Sequence, residues 1–316
     1  MWVSSKIQLL DRGRGGFPIN RFMIGQYGTF DYRKFYRDFK EGFYGIEACL
    51  FRQEKDIANL MKEAGKSGFR VGVHFPLRAG ISKLRDAQFL NLDEEISSQS
   101  LATIQQELNF LSALQPVYVL FHYPKPVILD DRVDWSPWRF EDRSEYEYES
   151  KYTFEVFKEK SEPLFEWLTD RGREYEFSPI LEFDALNAYI YKDDYLEGLL
   201  KKYPSIKLCL DTARLFLQDR IDPFFDAKLV IQKYAKFTET VHLSNIQIAD
   251  NHTIIKSRIP VLPNQHPNEG WAPIEEYLNI INKENKNVEI MFEHRSEYVS
   301  DEELEECYAW VAKLLN

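Results

Sequence analysis

Seven ionisable residues stand inside short apolar runs, where a charge is costly unless it has a partner. They are Glu47 in YGIEACLF, His74 in FRVGVHFP, His122 in VYVLFHYP, Glu182 in SPILEFDA, Asp211 in IKLCLDTA, His242 in TVHLSNIQ and Glu293 in VEIMFEHR. A lone strand histidine is usually a hydrogen-bonded core group, but a buried carboxylate must be paired, hydrogen-bonded or neutral. As isolated core groups, Glu182, Asp211, Glu293, His74, His122 and His242 would each need a separate explanation. One divalent-metal site explains them together. Carboxylate and imidazole ligands suit Zn²⁺, Mn²⁺, Co²⁺ or Fe²⁺, and a set without thiolates is unlike a structural zinc. The oxygens favour manganese and the imidazoles zinc, so one of these two is the expected ion. Such a site can polarise a carbonyl or phosphoryl oxygen or activate water, leaving carboxylates to move protons.

The elements that would position these residues alternate regularly. Eight apolar runs, at 21–28, 44–51, 69–76, 117–124, 178–185, 206–213, 240–247 and 288–295, are each followed by a segment of helical period. Tyr32, Phe35, Tyr36 and Phe39 recur at i, i+3, i+4 and i+7, and Leu304, Cys307, Tyr308, Val311 and Leu315 form the last such face. Ser300 and Glu303 supply a capping box at its start. The runs are apolar on both faces, as strands of a covered parallel sheet must be. Eight βα units predict a single (β/α)₈ TIM barrel over residues 1–316, with its active site at the C-terminal strand ends. No G-x-G-x-x-G follows a strand, which disfavours a dinucleotide fold. Residues 124–150 (PKPVILDDRVDWSPWRFEDRSEYEYES) are too many for a plain loop after the fourth strand. They read as a lid carrying Trp135 and Trp138, as a contact in a homo-oligomer, or as an excursion packed on its neighbour.

The 316 residues are 44% hydrophobic and 15% aromatic, enough for a sizeable core. No run of about 18 apolar residues exists to span a membrane, and the N-terminus has no secretory h-region. Cys49, Cys209 and Cys307 form no disulfide framework and read as reduced core thiols of a cytoplasmic protein. A net charge of −11 disfavours duplex DNA as a partner, since binding it requires neutralising phosphates. Arg78, Lys125, Lys256, Arg258 and Arg295 lie near strand exits as candidate anion contacts, with solvated surface charge the default reading of each.

In chain order the motifs are H-x-P at His74, F-H-x-P at His122, L-E at Glu182, L-D-T at Asp211, H-L-x-N at His242 and F-E at Glu293. This order, over residues 69 to 295, resembles the xylose isomerase-like barrel superfamily of sugar and sugar-phosphate isomerases and epimerases and of endonuclease IV-type enzymes. The epimerase branch implies one metal held by Glu182, Asp211, His242 and Glu293, with Glu182 and Glu293 doubling as the acid/base pair. The nuclease branch implies a further ion on His74, His122 and Glu182. Its third zinc is not matched: Arg214 replaces a histidine, Asn264-Gln265-His266 replaces D-x-H, and Asn245 replaces an aspartate. An arginine cannot ligate a metal, so one divalent ion is expected, or two if His74 and His122 also ligate. Arg214 and His266 are then expected to contact substrate. The resemblance implies an isomerase or epimerase of a small carbohydrate or carbohydrate phosphate, working through an enediolate. Metal-dependent phosphodiester hydrolysis is the alternative, and a barrel that binds ligand without turnover a third.

Overall fold

The computed structural model describes residues 19–84 and 86–316. The N-terminal stretch read above as lacking an h-region lies outside them. Eight parallel strands close into a barrel: β1 (Phe22–Tyr27), β2 (Gly45–Cys49), β3 (Arg70–His74), β4 (Tyr118–Tyr123), β5 (Ser178–Phe183), β6 (Lys207–Asp211), β7 (Thr238–Leu243) and β8 (Glu289–Phe292). The last returns to the first, with Phe22 opposite Ile290 and Ile24 opposite Phe292. Helices cover the outside, from Tyr32–Asp38 after β1 to Asp301–Leu314 after β8, the last begun by the Ser300–Glu303 capping box.

Side chains of a strand alternate between faces, and that period aims the ionisable residues. Met23, Tyr118, Leu120, Ile180, Cys209 and Met291 pack against one another inside the barrel. Their outward neighbours, among them Val119, Phe121, Leu181, Leu210 and Phe292, join the larger core under the helices. Two residues beyond Leu120, Ile180, Cys209 and Met291 come His122, Glu182, Asp211 and Glu293, on the inner face. The pattern that fills the barrel floor therefore sends acids and histidines into its mouth. Gly72 is required in this interior, because a Cβ there would lie 2.2 Å from the Tyr118 ring.

Two segments differ from simple βα connections. The apolar run 240–247 divides: β7 ends at Leu243, and Asn245–Ile248 pairs antiparallel with Ile254–Ile259. Ile246 and Ile248 stay buried in this ribbon, so hydropathy shows no break where the pairing partner changes. In the 124–150 segment, Val127–Leu129 pairs with Tyr146–Tyr148. Trp135 and Trp138 are buried edge to face, 6.0 Å apart, and the Trp135 indole donates to the Asp130 carbonyl at 3.0 Å. All three cysteines are buried. No helix among the described residues is long and apolar enough to cross a membrane.

At the opposite end of the barrel, Glu289 is pushed up to about 8 by burial and by Glu239, against a hydrogen bond from Tyr44. Its Oε2 has no hydrogen-bond partner among the described residues. A folded-state pKa above the unfolded value means that Glu289 favours folding below about pH 4.3, and that this contribution is lost as pH rises through about 8. Glu289→Gln is therefore expected to leave stability unchanged at pH 4 and to raise it by about 1–3 kcal/mol at pH 8.5. Urea unfolding at the two values checks this; equal effects at both would contradict it.

Candidate metal centre

The site grows from the inner face at seven strand ends, β2 to β8. Glu182, at the end of β5, lies at its centre. Its Oε2 accepts hydrogen bonds from Nε2 of His74 (3.2 Å) and Nε2 of His122 (2.9 Å), and its Oε1 from Nδ1 of His242 (3.0 Å). The other nitrogen of His242 donates to Glu47 Oε2 at 3.0 Å, and Glu47 also accepts from the hydroxyls of Tyr118 (2.8 Å) and Tyr27 (3.2 Å). Asp211 ends β6 and caps the helix Thr212–Ile221, its Oδ1 accepting from the backbone N–H of Ala213 (2.8 Å) and Arg214 (3.0 Å). The cap fixes the carboxyl and leaves Oδ2 for the site. Ligand atoms of Glu182, Asp211 and Glu293 lie within 4.8 Å of one another, and His242 Nδ1 is 3.8 Å from Glu293 Oε2.

Electrostatics shows what this arrangement lacks. Burial, then Glu293, pushes Asp211 up to about 6 although Arg214 opposes the shift. Burial works against charge on Glu182 too, but His242 and His122 hold it well below the usual carboxylate range. Burial likewise disfavours a charged His242, yet the carboxylates of Glu47 and Glu182 raise it well above the ordinary imidazole value. The carboxylates thus crowd one another and hold a proton on His242 Nδ1, facing Glu182 and Glu293. Three carboxylates and one imidazole converging with that demand for positive charge fit a divalent cation. His74, His122 and Glu182 form a second such group, and Glu182, Cys209 and His242 a third. Burial pushes the Cys209 thiol up to about 12, so it remains a neutral core thiol.

A further cluster, Asp86, His122 and Asp184, contains a cation of the chain's own. The Lys125 ammonium, 1% exposed, lies 2.8 Å from Asp86 Oδ2 and 2.7 Å from Asp184 Oδ2. Lys125 is therefore no solvated surface charge, because the fold seats it between two buried acids. His122 Nδ1 also faces Asp86 at 2.9 Å. Arg214 bonds to Asp184 at 2.7 Å and approaches Asp211 at 3.3 Å, so it braces two strand ends. Asp184 could have been found two residues after Glu182 on the same strand face. Asp86 lies in an aperiodic loop and had no such signal.

The six expected ligands, Glu182, Asp211, His242, Glu293, His74 and His122, are thus brought together. Arg214 lines a cavity of about 590 Å³ above them, along with Asp211, Glu293 and Trp138. His266 is not brought there. It is exposed, ahead of the turn Pro267–Glu269, and is absent from the cavity lining among the described residues. The cause is Gln265, whose amide donates to the Pro260 carbonyl (2.9 Å) while its Oε1 accepts from Asn245 (2.7 Å). That anchors Gln265 inward and leaves His266 outside.

The chain matches no protein-family model and no curated protein. Among solved structures it is similar to a D-tagatose 3-epimerase-like protein (14% identical, covering 93% of this chain and 99% of the other, TM-score 0.59). It is also similar to the E. coli 3-keto-D-glucoside 4-epimerase YcjR (11%, 93% and 99%, TM-score 0.55) and to the IolI protein with a bound zinc atom (11%, 92% and 97%, TM-score 0.59). At such identities the likeness is one of fold. The shared fold is a closed (β/α)₈ barrel.

Proposed function

We propose that the protein is a divalent-metal-dependent sugar isomerase or epimerase. The observation that carries this reading is the convergence of two glutamates, Glu182 and Glu293, with Asp211 and His242 beneath a cavity of small-molecule size. The similar solved proteins include epimerases of sugars, which supports the same class of reaction. Glu182, Asp211, His242 and Glu293 would hold the ion, which when bound supplies Lewis-acid polarisation to a carbonyl and its neighbouring hydroxyl. Glu293 reaches the cavity, with a side chain 16% exposed, and would take the proton α to the carbonyl. Glu182, at 1% exposure, would return from below a proton drawn from His74 Nε2, which faces its Oε2 at 3.2 Å. Arg214 would orient a substrate oxygen while holding Asp184 and Asp211 in place. Trp138 would form an apolar wall and exclude water.

The test is proton exchange. Zinc- or manganese-loaded protein incubated with ketoses in D₂O should place deuterium on the carbon next to the carbonyl, read by NMR. A second reading, phosphodiester hydrolysis, is favoured by the second ligand group of His74, His122 and Glu182. Hydrolysis of bis(p-nitrophenyl) phosphate without exchange into any ketose would replace the first reading by the second.

A further inference from the structure

Asp86, His122 and Asp184 bring ligand atoms within 4.8 Å of one another, and all three are buried. Two carboxylates and an imidazole are a full zinc set once water takes the fourth position. In this cluster the cation belongs to the chain itself. The Lys125 ammonium lies 2.8 Å from Asp86 Oδ2 and 2.7 Å from Asp184 Oδ2, the distances of charge-assisted hydrogen bonds. The backbone delivers it there. The Lys125 carbonyl accepts from the Leu90 N–H at 2.8 Å, and the Asp184 N–H donates to the Tyr123 carbonyl at 3.1 Å. The exits of β4 and β5 and the loop that carries Asp86 are thereby laced around one side chain. Asp184 Oδ1 accepts from Arg214 at 2.7 Å, so the same carboxylate carries this hold to the helix Thr212–Ile221 that Asp211 caps. His122 faces the cluster with Nδ1 and Glu182 with Nε2.

We infer that Lys125 is a tethered cation, filling a seat whose ligands would otherwise take a metal ion and so limiting how many ions the protein holds. An ammonium neutralises buried carboxylates as an ion does, but it cannot be exchanged or chelated and cannot act as a Lewis acid toward a substrate oxygen. The cluster therefore supplies position rather than chemistry. It keeps Asp86, His122 and Asp184 in place while an ion among Glu182, Asp211, His242 and Glu293 exchanges. Lys125 is a positioning residue, and its charge is what matters. A lysine that served only through its apolar stem could not be replaced by a free cation, whereas a tethered cation can.

Zinc content per chain after gel filtration, measured by plasma mass spectrometry on the parent, Lys125→Ala and Lys125→Met, tests this. An ion at the Glu182 group counts equally in parent and variants, so the difference reports the Lys125 seat alone. Lys125→Ala should hold about one zinc more than the parent. Its melting temperature, lowered in EDTA by the unpaired carboxylates, should rise again with zinc. Methylammonium, a detached copy of the lysine head group, should raise it too, with methanol inert. Lys125→Met fills the seat with an uncharged stem and should gain no ion. Adding Asp86→Asn to Lys125→Ala removes a ligand and should abolish the extra zinc. Equal zinc in Lys125→Ala and the parent would overturn the inference. So would an extra ion that appears in Lys125→Met or survives Asp86→Asn, or a Lys125→Ala chain that neither cation returns to the folded state.

Discussion

Glu182→Gln should lower metal affinity by more than about 100-fold and turnover by about 10²–10⁴-fold. The reason is that one carboxylate faces every other part of the site. Its two oxygens accept from His74, His122 and His242, and it lies in three candidate ligand groups. An amide of the same size keeps the packing but offers one acceptor and no charge, and its NH₂ would confront nitrogens that now donate. Losing a partner of a ligand costs about 10–100-fold in affinity, so losing the shared ligand should exceed that range. Metal content after dialysis and steady-state rates check both halves, with far-UV circular dichroism reporting that the barrel persists. Undiminished metal content in the variant would show that Glu182 is only a core hydrogen-bond acceptor.

The second large effect is expected at Glu47, which faces His242 from the far side. It accepts from His242 Nε2 and is itself held by the hydroxyls of Tyr118 and Tyr27. That partner commits Nε2 to a proton and so presents Nδ1 to Glu182 and Glu293. Glu47→Gln should weaken metal binding by about 10–100-fold without touching the cavity above. Glu47 is a positioning residue, so the distinguishing readout is the ring itself: nitrogen-15 shifts of His242 should report a changed tautomer in the metal-loaded variant. KM for a bound sugar should change less than kcat. An unchanged His242 spectrum with normal metal affinity would assign Glu47 to stability alone.

Much of this architecture was legible in the sequence because its signals are periodic. Strands covered on both faces are apolar throughout, and a carboxylate such as Glu182 or Glu293 inside such a run stands out. The strand period of two then predicts which face it joins. What escaped was set by tertiary contacts without period. Lys125 looks like any charge after a strand until the fold places Asp86 and Asp184 around its ammonium. His266 resembles a ligand position, but the Gln265 amide bonds decide which way the loop faces. The division of run 240–247 was invisible to hydropathy because Ile246 and Ile248 remain buried after leaving the barrel. Glu47 was visible as a buried acid, yet its bond to His242 joins residues 195 positions apart.

The central claim is that one divalent ion belongs among Glu182, Asp211, His242 and Glu293. Anomalous diffraction from crystals soaked in zinc or manganese tests it most directly. The expected result is a peak bounded by oxygens of the three carboxylates and by His242 Nδ1, at about 2.0–2.3 Å from each. A fully loaded crystal with its anomalous peaks elsewhere, and these four side chains turned away from any ion, would contradict it.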